Sequence, residues 1–311
     1  MNKPLPPPRF KQIRPPNDNY TYFEDHRHHR FIPDASSFEL VNAAWLADFA
    51  MLAYGNEAFI HTKLMESGLI AEGFVMQFIS RRTTQCFIVS NNEFVVLSFR
   101  GTEIDNFWGA FKDWLRFFEL EPVPDGTDGK VHKGFLKDIT EVWPYVQPVL
   151  EFLLRGTKRT LWITGHSLGA ALATLGAVRA VRDAGFNVQG VYNYGAPRVG
   201  DAAHARKYAD RRLAAKTFRF VYDVDIAPAK LPPGDVYQHL GQEKFIDKNG
   251  QLHDRVPVAP PDELRRALDE LSVIESRGLT LMTDAKGFRI PPRFADHAPI
   301  YYASHIWNAL P

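Results

Sequence analysis

A glycine-flanked serine between an apolar segment and a run of small residues constrains the fold of this chain most strongly. Ser167 is central in Gly165-His166-Ser167-Leu168-Gly169, which follows the apolar residues 161–164 and precedes the alanine-rich residues 170–178. The first segment is typical of a buried strand and the second of a helix packed closely on a sheet. We expect a sharp turn that exposes the Ser167 hydroxyl, because side chains two positions away would collide with neighbouring backbone. The alternative is an ordinary turn in which Ser167 only caps the helix.

The composition excludes several other classes of protein. Among the 311 residues, 45% are apolar and 13% aromatic, which excludes a disordered, collagen-like or coiled-coil chain. The 37 Lys and Arg residues balance 36 Asp and Glu residues, so charge gives no argument for a nucleic-acid partner or an anionic membrane surface. The single cysteine, Cys86, excludes an intramolecular disulfide framework and a cysteine-based zinc site.

Short apolar runs alternate along the chain with helical patterns, which predicts an α/β fold with a mostly parallel central sheet and helices on both faces. A turn at Asn91-Asn92 predicts that one edge of the sheet is antiparallel. The predicted strands are residues 74–79, 85–89, 94–99, 160–164, 188–194 and 217–222. The predicted helices are one capped by Ser36 and Glu39, residues 136–155 with a break near Pro144 and Pro148, residues 168–182, residues 201–211, and a surface insertion at residues 262–275.

The first 30 residues are rich in proline and lack the apolar core of a secretory signal peptide. We expect residues 1–30 to form an extended arm, in which His26, His28 and His29 are solvated, and residues 31–311 to form a single domain. The longest uncharged stretch is explained better by a strand, turn and helix than by a transmembrane segment. We therefore expect a cytoplasmic location or export by a non-classical route, with secretion left open.

A serine nucleophile needs a base, and the base needs an orienting carboxylate. Asp223 and Asp225 follow the predicted strand 217–222, at the edge of a parallel sheet where sites form, and the local pattern does not separate them. Three downstream histidines are candidate bases: His239, His297 and His305. His166 points away from its neighbour Ser167 and is interpreted as a packed residue of the turn rather than as the base.

Several sequence blocks occur in a fixed order over residues 40–305. They are residues 96–102, 131–135, 163–170, 192–201, 225–228 with 231–233, 239–243, and 296–297. Together they resemble the class 3 lipases of the fungal triacylglycerol lipase type, which have the α/β-hydrolase fold. The resemblance implies a catalytic triad of Ser167, Asp225 and His297, with His239 in a structural role. The segment before His297 is longer than the fungal pattern.

Acyl transfer also needs two donors for the negative charge that develops on the carbonyl oxygen. The backbone N–H of Leu168 lies at a predicted helix N-terminus and is one candidate. The resemblance implies Thr102 as the second, whereas the residues alone allow an ordinary turn after a strand.

The segment after Thr102 has an apolar face at helical spacing, formed by Ile104, Phe107, Trp108 and Phe111. Such a stripe is most often part of a core helix. The resemblance implies instead a short mobile lid helix that covers the site in water and opens at a lipid surface.

The expected function is hydrolysis of carboxylic esters by a serine enzyme, with acylglycerols as the lipid ester substrates. We expect no metal, no organic cofactor and no obligate protein partner. A phospholipase, a feruloyl-type esterase or another carboxylesterase would use the same triad. A catalytically silent binding module is the alternative of another class, and the occupied triad positions argue against it.

Overall fold

The computed structural model describes residues 2–82, 84–102, 122–126, 129–225, 227–228, 232, 236–254 and 292–311. The predicted lid residues Ile104, Phe107, Trp108 and Phe111, and the predicted insertion at residues 262–275, lie outside these residues.

Ten strands lie in the described part of the chain, eight of them in one sheet in the order β1-β2-β3-β6-β7-β8-β9-β10. The strands are β1 (Val75–Arg81), β2 (Thr84–Ser90), β3 (Phe94–Phe99), β4 (Pro122–Pro124), β5 (Lys130–His132), β6 (Thr160–His166), β7 (Val188–Tyr194), β8 (Thr217–Tyr222), β9 (Gln242–Ile246) and β10 (Leu252–His253). Pairing is parallel from β3 through β9 and antiparallel in β1-β2-β3 and in β9-β10. The predicted mostly parallel sheet with an antiparallel edge is confirmed. β4 and β5 form a separate antiparallel pair.

The helices cover both faces of the large sheet. They are α1 (Phe10–Ile13), α2 (Leu40–Leu52), α3 (Glu57–Glu66), α4 (Lys133–Leu154), α5 (Leu168–Arg182), α6 (Ala202–Asp210), α7 (Pro292–Ala295) and α8 (Pro299–Asn308), with a 3₁₀ turn at Ala214–Lys216. A hydrophobic core lies on each face of the sheet, and successive side chains of β6 point into opposite cores. Trp162 packs with α2 and α8 on one face, whereas Leu161 and Ile163 pack with α4 and α5 on the other. Among the described helices, none is both long and apolar enough to span a bilayer.

Two predictions about helices are wrong. The helix that was expected to be capped by Ser36 begins only at Leu40, and its N-cap residue is Glu39. The backbone N–H of Glu39 donates to the hydroxyl of Tyr192, which is distant in the sequence. α4 is continuous through Pro144 and Pro148. Both prolines lie on the exposed face, so the carbonyl groups that lose their helical donors can be hydrated, while the opposite face is buried in the core.

The N-terminal segment packs against α2 and α8. Lys3 is 4% exposed, and its Nζ lies 2.8 Å from the Tyr20 hydroxyl and 3.7 Å from Oδ2 of the buried Asp48. The backbone N–H of Lys3 donates to Oδ1 of Asn308 at 2.5 Å, and Nδ2 of Asn308 donates to the Lys3 carbonyl at 2.9 Å. The first and last segments of the chain are therefore joined directly. The division into an arm and a domain stays a prediction.

The expectation of a solvated histidine cluster is wrong for His26. This side chain is buried, and its Nε2 lies 3.1 Å from Oε1 of Glu72. Its ring also contacts Trp45 edge-on, so the turn around residue 26 is held to α2 by aromatic packing that the local charge pattern does not show.

Replacing Lys3 by methionine should destabilise the protein by about 3 kcal/mol, because it leaves the carboxylate of Asp48 buried without its cation. The urea unfolding midpoint measures the loss. Lys3→Met combined with Asp48→Asn should recover much of it, and Lys248→Met, at an exposed lysine, serves as the control. A Lys3→Met protein as stable as the control variant would contradict the prediction.

Candidate active site

Ser167 lies at the turn between β6 and α5, with φ 59° and ψ −125°. A positive φ is strained for a residue with a side chain, and it is found where surrounding structure enforces it. Here the enforcing contacts are close backbone approaches: a Cβ on Gly165 would overlap the carbonyl of Gly169, and a Cβ on Gly169 would overlap the carbonyl of Phe99. The two glycines of the motif therefore allow α5 to start directly against the ends of β3 and β6.

The structure brings Ser167, Asp225 and His297 together. His297 Nε2 lies 2.8 Å from Ser167 Oγ, and His297 Nδ1 lies 3.0 Å from each carboxylate oxygen of Asp225. All three side chains are at most 1% exposed. The expectation that the turn exposes the Ser167 hydroxyl is therefore wrong, because the imidazole of His297 lies against it. Because a carboxylate only accepts, Nδ1 carries the proton and Nε2 is left to accept from the serine hydroxyl. This geometry allows the imidazole to remove the proton of Ser167.

Asp225 follows β8 and is fixed by two further donors. The backbone N–H of Ala227 donates to its Oδ1 at 2.9 Å, and the hydroxyl of Tyr302 donates to its Oδ2 at 2.5 Å. Burial, together with the charge of Asp225, raises the pKa of Tyr302 well above its usual value, so the hydroxyl stays a donor. Tyr302 lies in α8, and sequence reasoning gave it no role, because its partner Asp225 is 77 residues away in the chain.

The other acid and base candidates make different contacts. Asp223 is half-buried, and its backbone N–H donates to the carbonyl of Ile246. His239 Nε2 lies 2.8 Å from the carbonyl of Pro228 and donates to it, since a carbonyl only accepts. The ring of His305 packs 4.7 Å from that of Tyr222. Within the described residues, the Ser167 hydroxyl bonds His297 and none of these three side chains.

The two predicted oxyanion donors follow the ends of the neighbouring strands β3 and β6. Leu168 is the first residue of α5, so its N–H lacks an acceptor within the helix and lies at the positive end of the helix dipole. Thr102 follows β3, whose last residue, Phe99, pairs with Gly165. The ends of β3 and β6 are thus neighbours at one edge of the sheet. The assignment of both residues as oxyanion donors stays a prediction.

Within the described ranges, no three His, Cys, Asp or Glu side chains are grouped so that they could hold a metal ion.

Comparison with known proteins identifies a lipase family as similar to part of the chain. Residues 96–235, less than half of the chain, match the family model described as lipase (class 3). Over this segment the chain is similar to the class 3 lipases. The matched segment contains Ser167 and Asp225, and His297 lies beyond it.

Two curated relatives illustrate what the chain is similar to. The chain is 32% identical over 161 residues to a lipase of Rhizomucor miehei, and the aligned region covers 50% of this chain and 42% of the relative. It is 31% identical over 198 residues to phospholipase A1-II 3 of Oryza sativa subsp. japonica, which covers 53% of this chain and 45% of the relative. The chain thus spans less than half the length of either relative.

A solved structure supports the fold. The Rhizomucor miehei lipase in complex with its propeptide matches with a TM-score of 0.58 and 24% identity, over 72% of this chain and 74% of that chain. The chain therefore has the α/β-hydrolase fold, as expected.

Asp296, directly before His297, is a buried carboxyl group with no role in the sequence interpretation. It is 9% exposed, and its Oδ2 has no hydrogen-bond partner in the described part of the chain. Burial, with the neighbouring charges of Asp223 and Asp225, raises the pKa of Asp296 to about 8. Asp296 is therefore protonated at neutral pH in the folded protein.

The raised pKa of Asp296 predicts a stability that falls as the pH rises. Between about pH 4, the pKa in an unfolded chain, and about pH 8, the folded state binds a proton that the unfolded state has lost. Asp296→Asn removes this proton uptake, so the stability of the variant relative to wild type should increase from pH 5 to pH 9. Melting temperatures at pH 5, 7 and 9 measure the difference.

The exposed Asp210→Asn variant is the control and should give a curve parallel to that of wild type. Parallel curves for Asp296→Asn and wild type would show that Asp296 ionises normally in the folded protein.

Proposed function

We propose that this chain is a serine-dependent carboxylic ester hydrolase that acts on acylglycerols through an acyl-enzyme. The observation that carries the proposal is the 2.8 Å contact between Ser167 Oγ, on a strained turn, and Nε2 of His297, whose other nitrogen is held by Asp225. The match of residues 96–235 to the class 3 lipase family model supports the same reaction. A serine, an oriented base and a helix N-terminus at one point are what acyl transfer requires.

In the proposed mechanism, His297 takes the proton of Ser167 as Oγ attacks the acyl carbonyl. The N–H groups of Leu168 and Thr102 stabilise the oxyanion, and Asp225 stabilises the imidazolium. His297 then gives the proton to the departing alcohol, which leaves the acyl group on Oγ. Water, deprotonated by the same imidazole, hydrolyses the acyl-enzyme and restores Ser167.

The substrate class is proposed from the relatives. The Rhizomucor miehei relative is named a lipase and the Oryza sativa relative a phospholipase, which makes a phospholipid ester the second candidate. Hydrolysis of an emulsified triacylglycerol, a phosphatidylcholine dispersion and a chain-length series of nitrophenyl esters separates them. A preference for the emulsified triacylglycerol supports the first candidate, and a preference for phosphatidylcholine supports the second.

The lid at Ile104, Phe107, Trp108 and Phe111 remains part of the proposal. A short ester assayed below and above its solubility limit tests it, because an amphipathic lid opens when its apolar face meets an interface. Activity that saturates smoothly, with no rise once droplets form, would count against a lid.

Ser167→Ala should lower turnover by about 10³-fold or more, because it removes the nucleophile while leaving the fold and the oxyanion donors in place. Ester hydrolysis and covalent labelling by a fluorophosphonate are the measurements, and circular dichroism checks the fold. The exposed Ser80→Ala variant is the control and should react as wild type does. Near-normal turnover in Ser167→Ala would overturn the mechanism, and a wild-type protein that neither hydrolyses esters nor reacts with the probe would favour the silent binding module.

A further inference from the structure

A hydrogen-bonded chain lies behind the proposed triad and ends on the backbone of His297. The hydroxyl of Tyr54 lies 2.8 Å from Nδ1 of His166, and Nε2 of His166 lies 2.7 Å from the carbonyl oxygen of His297. Tyr54 is 1% exposed, and both histidines are fully buried. We call this chain the Tyr54–His166 strut.

The direction of both bonds follows from the chemistry of the groups. A carbonyl oxygen only accepts, so Nε2 of His166 carries the proton and donates it to His297. Nδ1 of the neutral ring is then an acceptor, and the Tyr54 hydroxyl donates to it. Burial and the nearby His297 lower the pKa of His166 well below its usual value, and burial raises the pKa of Tyr54, so both groups stay neutral. The strut therefore places no second positive charge beside the imidazolium.

The strut joins three parts of the site that are far apart in sequence. Tyr54 follows α2, His166 is the last residue of β6, and His297 lies in the turn between α7 and α8. The Tyr54 hydroxyl also occupies the space that a Cβ on Gly101 would need, directly before the predicted oxyanion donor Thr102. The side chain of Tyr54 thus contacts both Gly101, after the end of β3, and His166, the residue before Ser167.

The backbone of His297 depends on this contact. Its N–H makes a long 3.3 Å bond to the carbonyl of Phe294, whereas its carbonyl receives the 2.7 Å bond from His166. The two rings also pack with centroids 4.7 Å apart. A displacement of this backbone would carry the imidazole away from Ser167 and Asp225 together, and a misplacement of about 1 Å can cost about 100-fold in rate.

We propose that Tyr54 and His166 are positioning residues that hold the imidazole of His297 in line with Ser167. The proposal rests on the proposed serine hydrolase function. Neither side chain touches the reacting atoms, so both act through His297 and through the end of β3. Loss of the strut should lower the rate of acylation and leave substrate binding nearly unchanged.

The first test removes one hydroxyl group. In Tyr54→Phe we expect kcat on a soluble nitrophenyl ester, and the fluorophosphonate labelling rate of Ser167, to fall by about tenfold or more, with KM within about twofold of wild type. Tyr208→Phe is the matched control, because Tyr208 is also fully buried and its hydroxyl bonds Thr217, at 2.7 Å, outside the site. Both variants should lose similar stability, but Tyr208→Phe should keep the labelling rate of wild type.

The second test changes His166. In His166→Gln the terminal amide can reach the position of Nε2 and donate to the His297 carbonyl, whereas His166→Leu has no donor. We therefore expect His166→Gln to retain most of the wild-type labelling rate. The labelling rate of His166→Leu should be about tenfold or more lower than that of His166→Gln. Melting temperatures establish that both variants are folded at the assay temperature.

The outcomes separate this proposal from the proposed function. Absence of labelling in wild type removes the serine hydrolase function itself. A reactive wild type with an equally reactive Tyr54→Phe overturns the positioning role alone. Equal rate losses in Tyr54→Phe and Tyr208→Phe would also overturn it, because they would show a general effect of reduced stability.

Discussion

The close approach of α5 to the backbone of β3 is the constraint on which the rest of the site depends. Gly169 lies against the carbonyl of Phe99, and no residue with a Cβ fits there. This contact places the positive end of the α5 dipole, the Ser167 hydroxyl and the residues after β3 at one edge of the sheet. Parallel pairing through β7 and β8 brings Asp225 to the same edge. The position of the site therefore follows from the topology together with two glycines.

The helices on one face of the sheet, and the turn before one of them, supply the remaining groups of the site. α8 supplies the Tyr302 hydroxyl to Asp225, and the turn before it supplies His297. α2 packs between α8 and the sheet and ends beside Tyr54. Since α8 is joined in turn to Lys3 through Asn308, a side chain near the start of the chain belongs to the same packed unit as the base of the proposed triad.

The sequence predicts well those features that depend on local pattern. The helix at 168–182, the strands at 188–194 and 217–222 and the turn at Ser167 agree with the structure, because periodicity and glycine spacing determine them. Asp225 and Asp223 are separated only by the family resemblance, since both follow β8 and alternate residues share a side. Tyr54, Tyr302 and Lys3 were missed because their partners are 112, 77 and 45 residues away. Their contacts follow from tertiary packing, and no local pattern marks them.

Burial controls the charge of several ionisable groups around His297 and Asp225. Tyr54, Tyr302 and His166 stay neutral near pH 7, because burial disfavours the charged form of each. Asp296 keeps its proton up to about pH 8 for the same reason. Asp225 faces Nδ1, so in the proposed mechanism it stabilises the imidazolium from the side opposite Ser167. Had Asp296 also been ionised at neutral pH, the two buried carboxylates would repel each other and weaken the packing that places His297.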